Sequence, residues 1–207
     1  MAVPDHSIDP RIFESARKEF LENGFEKASL KAICEKAGVT TGALYKRYKG
    51  KEDLFCAVVE QTVKDLYEVA HSRGDRDPAA MSDAELIKAW DMDGPDMMWW
   101  MRFLYDRRDD FVLLLSRSDG TRYANFQHDW VEVLTKATSA FLAEAQRRGI
   151  CRTDVGPEEL HILLSAFWTT IYEPFIHGFD WEQIEQHCRI VCKLFDWHKA
   201  LEFHVEK

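Results

Sequence analysis

The stretch Ser29-Leu-Lys-Ala-Ile-Cys-Glu-Lys-Ala-Gly-Val-Thr-Thr-Gly-Ala-Leu-Tyr-Lys-Arg-Tyr-Lys-Gly-Lys51 reads as two short helices joined by a tight turn. In its first half Leu30, Ile33, Cys34 and Ala37 recur at the spacing of one buried helical face, and Ser29 stands where a cap belongs. Gly38 stops that helix, because glycine takes the left-handed conformation that side chains resist. Thr40 is placed to cap a second helix over Thr41 to Tyr48, with Val39 and Leu44 in staple positions. That second helix has few apolar anchors beyond Leu44 and Tyr48, so its outer face is left for another use. Lys36, Lys46, Arg47, Lys49 and Lys51 carry positive charge among Thr40, Thr41, Tyr45 and Tyr48, with no acid from Lys36 to Lys51. Point charges and hydroxyl donors around a glycine, Gly42, are the chemistry of contact with a phosphate backbone. A solvated basic face is the bland alternative, and the turn chemistry and helix lengths weigh against it.

Upstream, Asp9 as cap, Pro10 at the first position and Ile8 opposite Phe13 predict the start of another helix. Ile12, Phe13, Ala16, Phe20 and Leu21 give it one apolar face, Gly24 ends it, and Phe25 is placed to fold back on Phe20. Downstream, Glu52 and Asp53 sit in the first turn of a fourth helix whose apolar spacing runs to about His71.

From Ile12 to about Glu60 the chain resembles the DNA-binding region of the tetracycline-repressor-like (TetR) family of bacterial transcription regulators. The resemblance is carried by ARKEFLENGFEKASLKAIC and by AGVTTGALYKRYKGKEDLF, the latter close to the family pattern AGVSxGxLYxHFxxKExL. This chain has Thr40 for the common Ser, Arg47 for His and Tyr48 for Phe, and the match covers about a quarter of the sequence. The resemblance implies a dimer that sets two recognition helices on a palindromic double-stranded DNA operator, and a small-molecule effector bound in the C-terminal helices. The candidate DNA-contacting residues are Ser29, Thr40, Thr41, Gly42, Ala43, Tyr45, Lys46, Arg47 and Lys51. Thr41, Gly42 and Ala43 are expected at base edges, with Thr40, Tyr45, Lys46, Arg47 and Lys51 on phosphates.

The 207 residues suffice for a small domain attached to a larger one. Residues 7–53 hold ten Lys and Arg against eight Asp and Glu, whereas residues 54–207 hold seventeen against twenty-seven. With a net charge of −9, most of the surface repels DNA, which confines any binding to the N-terminal part. The expected division is 8–53, a three-helix bundle, and 54–207, a larger helical ligand-binding and dimerisation domain. No stretch alternates with period two, so the fold class is all-α, with further helices near 83–92, 95–107, 109–117, 122–148, 156–177 and 180–202.

Five cysteines without a paired framework suit a reducing cytoplasm. The opening residues have neither a basic start nor an apolar run, and the longest uncharged segment, Leu160 to Tyr172, is too short to span a membrane. No cofactor is expected: the sequence has no phosphate loop, nucleophile elbow or HExxH, and His187, Cys188 and Cys192 lack a second cluster to complete a zinc site.

Large aromatics crowd residues 90 to 130 and return at Trp168, Tyr172 and Phe175. Core filling accounts for any one of them, but a cluster of tryptophans also suits a cavity for a ring-bearing or apolar ligand. Trp100, Phe103, Phe126, Trp130 and Trp168 are the expected lining, with Glu173 as a candidate counter-ion to a cationic effector. The last two apolar helices are expected to build the dimer by burying Leu163, Phe167, Ile171, Val191 and Phe195. Pro174 should free a backbone carbonyl one turn earlier. Two other readings compete: a C-terminal domain that binds a protein partner, and an enzyme using His161 and Glu173 as acid and base.

Overall fold

The computed structural model describes residues 9–92, 94–151 and 154–204, and the expected Ile8 staple and Asp9 side-chain cap lie outside them. The described chain is all-helical, with one isolated bridge between Cys151 and Phe203. Contact geometry divides it into two compact units. One takes the chain up to Asp65 together with Arg107–Phe126; the other takes Leu66–Asp106 and Gln127 onward.

In the first unit, α1 (Asp9–Lys27) is interrupted at Gly24, whose φ of 70° turns the chain out of the helix as expected. Phe25 then returns to 6.2 Å from Phe20, and both rings meet Phe55 edge-on at 5.6 and 5.0 Å. α2 (Leu30–Ala37) is capped by Ser29 and stopped by Gly38 at φ 67°, and α3 (Thr41–Tyr45) is capped by Thr40. The third helix is shorter than expected, because the residues after Tyr45 form a turn that brings Tyr48 to 6.0 Å from Phe13. α4 (Lys51–Gly74) supplies buried Leu54, Phe55, Val58 and Val59 to the same core.

The boundary expected after residue 53 rests on charge, whereas packing carries the first unit to Asp65 and adds α7 (Arg108–Ser116). α7 packs on α1, burying Phe111, Leu114 and Leu115. Arg17 clasps Asp110 through Nε–Oδ1 at 2.5 Å and Nη2–Oδ2 at 3.1 Å, the Thr62 hydroxyl donates to the same carboxylate at 3.3 Å, and the Phe25 N–H donates to the Arg117 carbonyl. The Asp110 carboxylate raises the Arg17 pKa against the opposing effect of burial.

The second unit contains α5 (Asp83–Lys88), α6 (Gly94–Tyr105), α8 (Phe126–Arg148, from its second residue), α9 (Pro157–Ile176), α10 (Trp181–Leu194) and α11 (Trp197–Ala200). Ser82–Glu85 and Asp180–Gln183 form capping boxes at α5 and α10. The expected final helix is two, because Phe195 leaves helical geometry and Asp196 caps a new start through the Lys199 N–H at 3.0 Å. Pro174 frees the Thr170 carbonyl, and the His187 Nε2–H donates to it at 2.7 Å. The Arg148 guanidinium gathers the carbonyls of Pro78, Ala79 and Met81 and the carboxylates of Asp83 and Glu144, fastening the 75–82 segment to α8.

Candidate functional site

The candidate nucleic-acid interface is the outer side of α3 and its approaches. Leu44, fully buried, pins the helix from beneath. Thr41, Gly42, Tyr45 and Lys46 are exposed, Tyr45 at 57 %, while Ala43 and Arg47 are half-buried. The Ser29 Oγ accepts from the Ala32 N–H at 3.3 Å and the Thr40 Oγ1 from the Ala43 N–H at 3.1 Å. Each hydroxyl still has its own O–H to donate outward, so capping and phosphate contact are compatible.

The basic run is partly committed inside the protein. Arg47 Nη1 leans back to the Ala43 carbonyl at 3.1 Å. Lys36 pairs with Glu19 at 3.1 Å and reaches Glu22 at 3.5 Å. Lys51 Nζ donates to the carbonyls of Glu26 at 2.7 Å and Ala28 at 3.1 Å and lies 4.8 Å from the Phe25 ring centre. Its ammonium therefore braces the end of α1 with two of its three N–H donors. Glu19 is the buried partner in this corner and also accepts from Asn23 and the Ser29 N–H. Burial alone would raise its pKa; the bonds from Lys36, Ser29 and Asn23 outweigh that and hold it below the usual carboxylate range.

A three-helix unit with a capped, exposed second helix after a left-handed glycine turn defines a helix-turn-helix DNA-binding protein. Residues 12–58 match the family of bacterial regulatory proteins, tetR family. That match gives residues 12–58 the DNA-binding segment of the tetR family, as the resemblance in the sequence implies.

Beyond the matched region the likeness extends along most of the chain. The chain is 27 % identical over 168 residues to the transcriptional repressor AcnR of Corynebacterium glutamicum, covering 80 % of this chain and 78 % of the repressor. A TetR-like regulator from Rhodococcus superposes with a TM-score of 0.62 at 15 % identity, over 96 % of this chain and 98 % of that one. FadR of Bacillus subtilis, solved with stearoyl-CoA, gives 0.59 at 13 % identity over 89 % and 96 %. These relatives are named as regulators of transcription. The two superpositions establish the shared fold.

The second unit holds a partly open cavity of about 360 Å³, with Trp99 and Asp96 on its exposed side. Trp100, Trp130 and Trp168 are brought together in its wall. Trp100 and Trp130 are stacked at 6.5 Å with planes 8° apart, and Trp168 tilts against Trp130 at 5.7 Å. The other expected lining residues lie elsewhere. Phe103 backs Trp100 at 5.3 Å, Phe126 is buried at the end of the first unit, and Glu173 pairs with His177 at 3.3 Å with 42 % of its side chain exposed. His161 contacts the Thr135 hydroxyl at 3.2 Å.

Sequence reasoning missed the acidic part of the wall, Asp91 and Asp96, and with it Trp90, Trp99 and Trp197. A signal was present: Asp-Met-Asp-Gly-Pro-Asp, residues 91–96, puts three carboxylates between Trp90 and Trp99.

Among the described residues no group of three or more His, Cys, Asp or Glu is placed to hold a metal ion, and no helix is long and apolar enough to cross a membrane. Burial and the neighbouring Cys192 push the Cys188 thiol up to about 12, which makes it an inert core group.

Of the expected dimer residues, Phe167, Ile171 and Val191 are buried within the chain itself and Leu163 and Phe195 are half-buried, whereas Ile162, Ile190 and Leu194 on α9 and α10 are 60 %, 56 % and 68 % exposed. The two helices do carry an unburied apolar face, rotated from the one expected.

Proposed function

We propose that the protein is a ligand-responsive transcriptional repressor that binds a palindromic operator as a homodimer in the cytoplasm and is released by a small aromatic, apolar or cationic effector. The DNA-contacting part lies within residues 8–53 and the effector and dimer parts within 54–207. The observation that carries this reading is the cavity wall. Val69 and Ala70 of α4 line it, and Lys51 at the other end of the same helix is fastened to α1. A ligand that favours one position of α4 thereby biases the helix-turn-helix through a continuous backbone. Coupling of this kind changes affinity by about 1–3 kcal/mol.

Thr41, Gly42 and Ala43 are assigned to base edges, and Ser29, Thr40, Tyr45, Lys46 and Arg47 to the backbone. Such small reading groups leave much of the affinity to phosphate contacts and DNA shape. The exposed Ile162, Ile190 and Leu194 support a two-fold pairing through α9 and α10.

The test is selection of bound DNA from a random pool, with and without a library of aromatic and cationic compounds. An enriched palindrome that a compound abolishes is the expected result. No enrichment at any salt concentration refutes the DNA-binding part; a palindrome indifferent to every compound refutes the effector part.

A further inference from the structure

The cavity wall is chemically one-sided. Six of the chain's seven tryptophans line it: Trp90, Trp99, Trp100, Trp130, Trp168 and Trp197. Asp91 and Asp96 stand in the same wall, and the described lining contains no Lys, Arg or His. Indole faces carry the negative lobe of the ring quadrupole, so a wall of them attracts a cation, more strongly as water is excluded. The carboxylates add to that potential. Asp91 lies 3.4 Å from His198 Nε2, which donates its proton to the Ile87 carbonyl at 2.8 Å, so a neutral His198 leaves the Asp91 charge in the wall.

An anionic ligand meets the opposite conditions. A carboxylate or phosphate group needs cationic or N–H partners to offset its desolvation, and here it would face two carboxylates. Trp90 adds one polar demand. It is 3 % exposed, and its indole N–H has no hydrogen-bond partner among the described residues, so a ligand with an acceptor near the ring would satisfy it.

We propose that the effector is an organic monocation whose charge lies on or beside a flat aromatic ring system, and that Asp91 and Asp96 select for that charge. The inference rests on the ligand-responsive reading above and narrows it. It separates this cavity by charge from one that holds an acyl-CoA, such as that of FadR.

The experiment is isothermal titration of the full chain with 1-methylquinolinium, its neutral isostere 1-methylnaphthalene, the anion 1-naphthoate, and stearoyl-CoA. The cation is expected to bind about tenfold more tightly than the isostere, with both anions weaker still. In the double variant Asp91→Asn, Asp96→Asn that advantage should vanish while 1-methylnaphthalene keeps its affinity, which also reports an intact cavity. Equal or tighter binding of the neutral or anionic probes overturns the inference and leaves the repressor reading standing. Retention of the preference by the double variant assigns the selectivity away from the two carboxylates and overturns it as well. Binding of none of the four overturns the effector cavity itself.

Discussion

Replacing Lys51 with alanine separates two uses of one ammonium group. Its Nζ holds the carbonyls of Glu26 and Ala28 at 2.7 and 3.1 Å, where α1 runs out of intrahelical donors, and it lies over the Phe25 ring that meets Phe55. Hydrogen bonds to a charged group contribute about 1.5–3 kcal/mol when buried. One of these is exposed and the other only partly buried, so water reoccupies the carbonyls in the variant, and the combined loss falls to about 1–2 kcal/mol. For a chain of this length each kcal/mol lowers Tm by about 2–4 °C, so Lys51→Ala should melt roughly 2–8 °C below the parent. The second readout is the salt dependence of operator affinity. With the ammonium committed to α1, the slope of log Kobs against log salt should be unchanged, whereas loss of a phosphate contact reduces it by about 0.9. Unchanged melting together with a shallower slope would refute the bracing role and return Lys51 to the DNA.

Other perturbations probe the remaining parts. Glu19→Gln should cost about 1–3 kcal/mol at neutral pH, because Lys36 and the Ser29 N–H lose a buried carboxylate. Its depressed pKa gives a sign as well: the contribution is full above the unfolded value near 4.3 and fades as pH falls through the folded one, so acid titration of stability should show a drop in the parent that the variant lacks. Arg148→Ala releases the carbonyls of Pro78, Ala79 and Met81, and limited proteolysis should then cut the 75–82 segment faster with the helical circular dichroism unchanged. Ile190→Asp with Leu194→Asp should halve the mass measured by light scattering toward the 24.2 kDa of one chain and abolish tight operator binding; a persistent dimer would move the interface elsewhere.

Helix ends were legible in the sequence because their punctuation is local. Gly24, Gly38 and Gly178 take φ of 70°, 67° and 68°, and Ser29, Thr40 and Asp180 cap the helices that follow. What stayed hidden depends on partners distant in the chain. Lys36 and Lys51 read as outward charges because their acceptors, Glu19 and the carbonyls of Glu26 and Ala28, lie on another helix. α9 is apolar around most of its circumference, so periodicity could not say whether Phe167 or Ile162 faces the chain's own core. Glu173 drew notice as a charge in an apolar run, yet it finds His177 one turn on, while Asp91 and Asp96 fall at the facing ends of two expected helices, 83–92 and 95–107, where nothing local marks them as cavity acids.

The use of α7 by the first unit has a consequence for biogenesis. The helix-turn-helix emerges from the ribosome well before residues 108–116, so the nascent DNA-binding unit waits through Leu66–Asp106 for the helix that packs on α1 and holds Arg17 through Asp110. That delay raises the sequence separation of its core contacts, which slows folding. It also means that a message truncated after Asp65 yields a fragment without its closing helix, and a cell making such fragments would gain no decoy able to occupy the operator.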